Sequence, residues 1–229
     1  IKLHAGDLSV NLLTLGAIAQ DARLAGVDHS LTLGADNVPD YESDLRHHGG
    51  LIGPIANRIS NARVRLDGMM HELERNQDGR IHLHSGANAT HLRLWEVVSV
   101  STNAATLAIT LPDGECGLPG NRRIEAKFSL STPAQLTLDI TGTTDTTTLM
   151  NFANHSYWNL DGSAQYDGHR LRIAAEHFLP TTSDFTPTGE IKDVADTEMD
   201  FRVLREITAG VPALDHNFCT AESEMDLRD

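Results

Sequence analysis

This sequence has few cysteines and no long apolar run, the features that would indicate a disulfide-rich secreted protein or a membrane protein. Its 229 residues include only two cysteines, Cys116 and Cys219, which lie too far apart in the chain to suggest a disulfide framework. We therefore expect two free thiols and a cytoplasmic location. No apolar run approaches the roughly 20 residues that a membrane-spanning helix needs, so we expect no membrane partner.

Positive charge is scarce as well. The chain has 18 lysines and arginines against 32 aspartates and glutamates, which gives a formal net charge of −14. Nucleic-acid binding depends on clustered basic side chains that face phosphates, and no run of five basic residues occurs here. This balance argues against a nucleic-acid partner and favours a neutral or weakly charged small molecule.

Helical patterns are rare. A short helical turn is expected over residues 39–45, and a short helix over residues 197–207, where apolar residues recur three apart. Nothing resembles an alternation of strands and helices. The glycines of residues 49–53 lack the lysine and the strand–turn–helix setting of a phosphate-binding loop.

Strand-like alternation dominates instead. Apolar residues fall at every second position of residues 124–130 and 136–141, with Pro133 in the connection, so these runs predict a hairpin. Weaker runs occur at residues 92–100, 105–111 and 169–174, and Asp-Gly turns separate them. The sequence therefore predicts one mostly antiparallel all-β domain over residues 1–229.

Twelve histidines raise the question of a metal site. His82 and His84 are two apart and would share one face of a strand, whereas the adjacent His47 and His48 would point apart. A zinc site needs three or four converging ligands, and neither an H-E-x-x-H nor a C-x-x-C pattern is present. We therefore predict pocket or surface histidines and no metal.

Residues 151–160 carry the densest polar and aromatic chemistry of the chain. Sugars are bound through hydrogen bonds to their hydroxyls and through apolar contact with their C–H faces, and asparagine, histidine, tyrosine and tryptophan supply both. His155 can also exchange protons near neutral pH. The alternative is a strand with an ordinary core histidine. A second polar cluster, residues 215–218, could equally be a capped turn.

Seven segments, taken in order, resemble the motifs of the aldose 1-epimerase family, the galactose mutarotases. They are G-P-I-A-N-R-I at 53–59, Asn76 with I-H-L-H-S-G at 81–86 and Trp95, P-D-G-E-C-G-L-P-G at 112–120, N-H-S-Y-W-N-L at 154–160, P-T-G-E-I at 187–191, D-F-R at 200–202, and D-H-N-F at 215–218. The resemblance spans essentially the whole chain.

This resemblance implies a galactose mutarotase-like β-supersandwich with an open sugar cleft and no metal or organic cofactor. It implies that a free aldose such as galactose or glucose is converted between its α and β anomers. No sequence pattern indicates the oligomeric state, and a monomer or homodimer is the default expectation. The residues that match the family's site are His155 as general acid, His84 as a catalytic and substrate-binding residue, and Arg58, Asn57, Asp215 and Trp158 as substrate-binding residues.

The sequence departs from the family pattern in three places. Ser85 stands where the family usually has glycine, and Leu118 replaces an aromatic residue, which we interpret as a change in packing. The family's catalytic base is a glutamate in a C-terminal third, expected C-terminal to residue 229. We therefore expect the chain to be part of a longer protein, with a sandwich that lacks its C-terminal portion.

Three alternatives remain open at this point. A hexose-6-phosphate 1-epimerase would need a cationic pocket. Arg122, Arg123, Arg170 and Arg172 are candidates, although strand alternation favours surface positions for them. A noncatalytic sugar-binding module could use the same scaffold. A metal-dependent hydrolase using the histidines ranks last, and a serine hydrolase lacks its G-x-S-x-G elbow.

Overall fold

The computed structural model describes residues 1–220, and these residues form strands, turns and short 3-10 helices. Their contacts separate two units, residues 1–162 and the unit that begins at Ser163. Within the described part the helices are five short 3-10 segments, none of which could span a membrane: Val38–Glu42, Ser60–Ala62, Gly86–Asn88, Thr90–Leu92 and Glu115–Gly117.

Two antiparallel sheets form the body of the first unit. The three-stranded sheet consists of β1 (Lys2–Ala5), β2 (Leu8–Leu13) and β3 (Ile18–Leu24), in that order. The four-stranded sheet is a meander of β9 (Glu96–Val100), β10 (Ala104–Leu111), β11 (Arg122–Ser131) and β12 (Gln135–Thr144). The predicted hairpin is β11–β12, whose register pairs Leu130 with Leu136.

Alternate residues of several of these strands build one hydrophobic core. In β2 the buried positions are Leu8, Val10 and Leu12, and in β11 Ile124 and Phe128 belong to the same cluster. Burial of each such side chain stabilises the fold by roughly 1.5–3 kcal/mol. The core therefore fixes a sheet framework from which the shorter segments extend.

Three short antiparallel ladders also belong to the first unit. They are β4 (Leu51–Ile52) with β13 (Ala153–Asn154), β5 (Arg58–Ile59) with β8 (His82–Leu83), and β6 (Arg63–Leu66) with β7 (Met69–Glu72). The first two ladders carry the segments that the sequence singled out as candidate sugar-binding motifs.

The second unit contains two small antiparallel sheets. One pairs β14 (Arg170–Leu171) with β17 (Arg205–Glu206), and the other places β15 (His177–Leu179) between β16 (Lys192–Asp193) and β18 (Asn217–Cys219). Its small core contains Phe178, Val194 and Met199, with Phe218 packed against them.

These elements confirm the predicted all-β, mostly antiparallel fold, and Cys116 and Cys219 are both free thiols. The short turn expected at residues 39–45 is the 3-10 helix Val38–Glu42. The strand-like runs at 92–100 and 169–174 are shorter than expected, since regular structure covers only β9 and β14.

The helix expected over residues 197–207 is wrong, because this segment forms turns and then β17. The Thr197 hydroxyl accepts the backbone N–H of Met199 at 3.1 Å, and the Asp200 carboxylate accepts that of Arg202 at 3.2 Å. Such local side-chain bonds offer the backbone an alternative to helical hydrogen bonds.

Candidate active site

Four histidine rings meet in the first unit: His47, His84, His91 and His155, which we call the histidine cluster. The centroid of the His47 ring lies 5.4 Å from that of His84, 5.0 Å from that of His91 and 5.7 Å from that of His155. The rings of His84 and His155 are 5.5 Å apart and nearly perpendicular.

His155 is held in the cluster by the β4–β13 ladder, which continues one step beyond the strands. The backbone N–H of His155 donates to the Gly50 carbonyl at 2.9 Å, and the N–H of Gly49 donates to the His155 carbonyl at the same distance. The Asn154 side chain adds a bond to the Gly49 carbonyl at 3.1 Å. The backbone of His155 is therefore fixed from both sides.

Gly49 permits this pairing because the chain passes close to another strand there. Its φ is +68°, and a Cβ atom built on it would lie 2.4 Å from the carbonyl oxygen of Ala19. Any side chain at this position would collide with backbone and adopt a left-handed conformation that favours glycine.

His84 is positioned by the β5–β8 ladder and is anchored to Asn57 at two points. The N–H of His84 donates to the Asn57 carbonyl at 3.0 Å, and the N–H of Asn57 donates to Nδ1 of the His84 ring at 3.0 Å. Because Nδ1 accepts a hydrogen bond, the proton of the neutral ring is on Nε2.

Burial lowers the pKa of His84 to about 3, with further contributions from His155, His47 and Arg58. A positive charge on this ring would be poorly solvated and close to other rings and to a guanidinium. His84 is thus a neutral hydrogen-bond donor through Nε2 at physiological pH.

Arg58 follows Asn57 and is oriented by two side chains. Its Nε donates to Oε1 of Gln77 at 3.0 Å, and its Nη1 donates to Oδ1 of Asn57 at 3.3 Å. These two hydrogen bonds fix the orientation of the guanidinium, which places a positive charge near His84.

Exposed aromatic rings follow His155 in sequence. Tyr157 is 42 % exposed and its ring centroid lies 5.2 Å from that of His155, while Trp158 is 50 % exposed. Exposed aromatic rings of this kind are suited to stacking on the apolar face of a sugar ring.

With this geometry in view, comparison with known proteins is decisive. The family model described as Aldose 1-epimerase matches residues 1–228. The chain belongs to the aldose 1-epimerase family.

Two relatives within this family are 31 % identical to the chain over the regions that align. The aldose 1-epimerase of Escherichia coli strain K12 is 31 % identical over 91 % of this chain and 61 % of its own length. The galactose mutarotase of Bos taurus is 31 % identical over 97 % of this chain and 67 % of its own length. The chain thus spans roughly three fifths to two thirds of these relatives.

Solved structures show the same fold. An aldose epimerase homologue from C. elegans has a TM-score of 0.85 and 31 % identity, covering 90 % of this chain and 64 % of its own. The galactose 1-epimerase from Lactobacillus acidophilus NCFM has a TM-score of 0.78 and 28 % identity, covering 88 % of this chain and 60 % of its own. The galactose mutarotase-like fold is therefore established.

The structure brings together several of the residues that the sequence analysis assigned to an aldose 1-epimerase site. His84, His155, Asn57 and Arg58 lie in or beside the histidine cluster. Trp158 comes three residues after His155 in the same segment. Asp215 is exposed in the second unit, just before β18.

The sequence patterns do not predict His47 and His91 as members of the cluster. They are 44 residues apart, and their Nδ1 and Nε2 atoms lie 3.2 Å from each other. Neither residue is in a strand with a repeating pattern, since His47 is in a turn and His91 is in a 3-10 helix. Only the position of His47 just before the Gly49-Gly50 segment could have suggested that it belongs to the cluster.

The prediction that His82 and His84 share one strand face is wrong. The strand β8 ends at Leu83, and His84 has a φ of +51°, so strand alternation does not extend to it. His82 is fully buried, and its Nδ1 lies 2.8 Å from the carbonyl oxygen of Glu74.

The histidine cluster is not arranged as a metal centre. Among residues 1–220, no group of three or more histidine, cysteine, aspartate or glutamate side chains could hold a metal ion.

The surface position expected for Arg122 is also wrong. This residue is fully buried, and its guanidinium donates to the carbonyl oxygens of Gly120, Pro112 and Glu115 at 2.8–3.1 Å. It closes the turn of residues 112–120 and is not available to a phosphate.

The replacement of an aromatic residue by Leu118 is accommodated by packing, because Leu118 is fully buried in a small core beside this turn.

Proposed function

We propose that the protein to which this chain belongs is an aldose 1-epimerase that interconverts the α and β anomers of free aldoses such as galactose and glucose. The observation that carries the proposal is the perpendicular pair of His84 and His155, 5.5 Å apart at their centroids. Within residues 1–220, neither ring nitrogen of His155 nor Nε2 of His84 has a hydrogen-bond partner. Three nitrogen sites are therefore left for a sugar.

In this reaction His155 is the general acid. The anomeric hydroxyl loses its proton, the electron pair forms the C1 carbonyl, the bond from C1 to the ring oxygen breaks, and the ring oxygen takes a proton from His155. Rotation about the C1–C2 bond and reversal of these steps give the other anomer. A positioned acid of this kind contributes roughly 100- to 10,000-fold.

His84 and Arg58 stabilise the charge that develops on the ring oxygen. The Nε2–H of His84 is fixed as a donor by the contact of Nδ1 with Asn57, so it needs no reorganisation during the reaction. Arg58 is held by Gln77 and Asn57 and adds a permanent positive charge. Trp158 and Asp215 complete the proposal as a stacking surface and as an acceptor of sugar hydroxyl hydrogen bonds.

The base that removes the anomeric proton is not assigned to a residue of this chain. The resemblance to the family indicates a glutamate C-terminal to residue 229, and the chain spans 61 % of the Escherichia coli relative. The proposal includes a monomer or homodimer in the cytoplasm with no cofactor and no nucleic-acid partner.

Polarimetry on the full-length gene product tests this function. Freshly dissolved α-D-galactose and α-D-glucose are followed with the wild type, His155→Ala and His4→Ala. His4 is a suitable control because it is an exposed histidine outside the cluster that contacts Ser9.

We expect the wild type and His4→Ala to accelerate equilibration equally and His155→Ala to lose at least about 100-fold of that acceleration. A wild-type protein that does not accelerate the equilibration of either sugar over buffer would contradict the proposed function.

A further inference from the structure

His47 is the ring that connects the histidine cluster. It contacts all three of the other members, with centroid distances of 5.0–5.7 Å, and it is half-buried in the turn before Gly49. The mechanism above uses His84 and His155 and assigns nothing to His47 or to its partner His91.

The contact between His47 and His91 has a direction. Nε2 of His91 lies 3.2 Å from Nδ1 of His47. The His91 ring is 2 % exposed, and its other nitrogen, Nδ1, is buried without a partner among residues 1–220. A buried N–H without an acceptor is strongly unfavourable, so the His91 proton belongs on Nε2, from which it donates to His47.

This donation fixes the tautomer of His47. A ring whose Nδ1 accepts a hydrogen bond carries its proton on Nε2, at the opposite edge. Burial lowers the pKa of His47 to about 4 and that of His91 to about 3, so each ring is neutral near pH 7. Within residues 1–220, Nε2 of His47 makes no hydrogen bond.

The same relation already exists at His84. There, the backbone N–H of Asn57 occupies Nδ1 and leaves Nε2–H as a donor. His47 repeats this arrangement with the His91 ring in place of a backbone amide, and the centroids of His47 and His84 are only 5.4 Å apart. Two neutral imidazoles therefore have their Nδ1 atoms occupied on the protein side and their Nε2–H groups unused.

We propose that His47 is a third sugar-contacting imidazole of this site, which donates a hydrogen bond from Nε2 to an oxygen of the bound aldose, and that the buried His91 is a positioning residue that sets its tautomer. The inference rests on the proposed function, since it concerns the same sugar in the same site. A contact with a sugar oxygen that does not change charge in the reaction acts equally on the bound substrate and on the transition state.

Because this contact is equally strong in the bound substrate and in the transition state, its loss should change KM and not kcat. We expect His47→Phe to keep the ring packing, to lose the donor, and to raise KM by roughly 3- to 10-fold with little change in kcat. His155 variants should instead lower kcat. His4→Phe is the matched control, because Nδ1 of His4 also contacts a polar side-chain atom, the hydroxyl oxygen of Ser9, at 3.0 Å.

His91 is tested by combination with His47. We expect His91→Phe to raise KM by up to the same factor and the double variant to be no worse than His47→Phe alone, because both changes remove one interaction. His91→Gln should have a KM closer to that of the wild type than His91→Phe has, since the amide nitrogen of glutamine can occupy the place of Nε2 and donate to His47. An unchanged KM in His47→Phe overturns the sugar contact, and additive effects overturn the positioning role.

A second measurement does not depend on turnover or on the folding of variants. Two-dimensional 15N–1H spectra of the wild-type imidazoles report which ring nitrogen carries the proton. We expect Nε2–H tautomers for His47, His84 and His91, and shifts of the His47, His84 and His155 signals on addition of galactose.

The outcomes separate the two proposals. A proton on Nδ1 of His47 overturns this inference whatever the activity. Shifts at His84 and His155 without one at His47 overturn it and leave the proposed function intact. If galactose moves none of these signals, the sugar site itself is wrong and the inference fails with it.

Discussion

At the scale of single residues, Ser85 links the two halves of the candidate site. It follows His84, has a φ of +63° and is 1 % exposed. Its Oγ accepts the backbone N–H of Ile55 at 2.7 Å and donates to the Ile55 carbonyl at 3.0 Å. The serine thus binds the segment that carries Arg58 to the segment that carries His84.

Removal of this hydroxyl should destabilise the protein. Ser85→Ala leaves a buried N–H and C=O of Ile55 without this partner and keeps the left-handed φ, so we expect a loss of roughly 1–3 kcal/mol in the free energy of unfolding. Ser85→Gly loses the same bonds but fits the φ better, and it should lose less. Urea unfolding measures both variants.

Ser99→Ala is the matched control for this comparison, because Ser99 is an exposed residue of β9. Equal stability of Ser85→Ala and Ser99→Ala would show that the hydroxyl of Ser85 contributes nothing.

The histidine cluster makes stability depend on pH. Burial lowers the pKa of His91 from 6.5 to about 3, with smaller contributions from His47, His84, Arg46 and His155. When the pKa of a histidine is lower in the folded state, the unfolded chain takes up the proton at a higher pH than the folded protein does as the pH falls. The stability it supports is complete above pH 6.5 and is lost as the pH falls toward the folded pKa.

We therefore expect the free energy of unfolding to decrease between about pH 6.5 and about pH 4.5, by roughly 1.4 kcal/mol per pH unit for His91 alone. His47 and His84 add to the slope in the same direction, since their pKa values are lowered to about 4 and about 3. Urea unfolding at several pH values measures this slope. His91→Phe should flatten it, and an equally steep slope in that variant would contradict the assignment.

At the scale of elements, the site depends on ladders of only two residues per strand, β4–β13 and β5–β8. Such short ladders contribute few hydrogen bonds, so close packing must fix their position. Gly49 provides it for β4–β13, because the backbone of Ala19 passes where a side chain would be.

Gly49→Ala should therefore lower both stability and activity. The added Cβ would meet the Ala19 carbonyl at 2.4 Å and displace the segment that binds His155. Gly68→Ala is the matched control, since Gly68 has a φ of +80° but nothing within 4 Å of the added atom.

We expect Gly68→Ala to cost about 1 kcal/mol from backbone conformation alone and Gly49→Ala to cost clearly more. Thermal unfolding and the polarimetric assay measure the two effects. Equal losses in the two variants would mean that the close approach at Ala19 is unimportant.

At the scale of the whole chain, the net charge of −14 over its 229 residues bears on the choice of substrate. A free aldose carries no charge, so its encounter with an acidic protein is neither steered nor opposed by the field. A hexose phosphate would be repelled at low ionic strength unless a cationic pocket received it. In the first unit, Arg122 is committed to backbone carbonyls and Arg123 to Glu96 and Glu125.

We expect kcat/KM for galactose to change by less than about 2-fold between low salt and roughly 0.5 M salt. Glucose 6-phosphate should be a poor substrate at low salt. The polarimetric assay at two ionic strengths measures both sugars. A strong preference for the phosphorylated sugar, weakened by salt, would instead favour the hexose-6-phosphate alternative.

Local patterns in the sequence were sufficient for the larger strands. The alternation at residues 124–130 and 136–141 predicted β11 and β12, because a strand with one buried face places apolar residues at every second position. The same reasoning failed at residues 197–207, where local hydrogen bonds from Thr197 and Asp200 outweighed a helical spacing of apolar residues. The motifs around Arg58, His84 and His155 identified part of the site through their resemblance to a family.

The all-β class, the lack of a disulfide framework and the family follow from the sequence alone, since composition, period-two alternation and ordered motifs are properties of the chain read in one dimension. The fold was needed to show that His47 and His91 join His84 and His155, that His82 does not, and which ring nitrogens have partners. Those outcomes depend on contacts between segments far apart in the chain and on the burial of individual ring nitrogens, which no local pattern encodes.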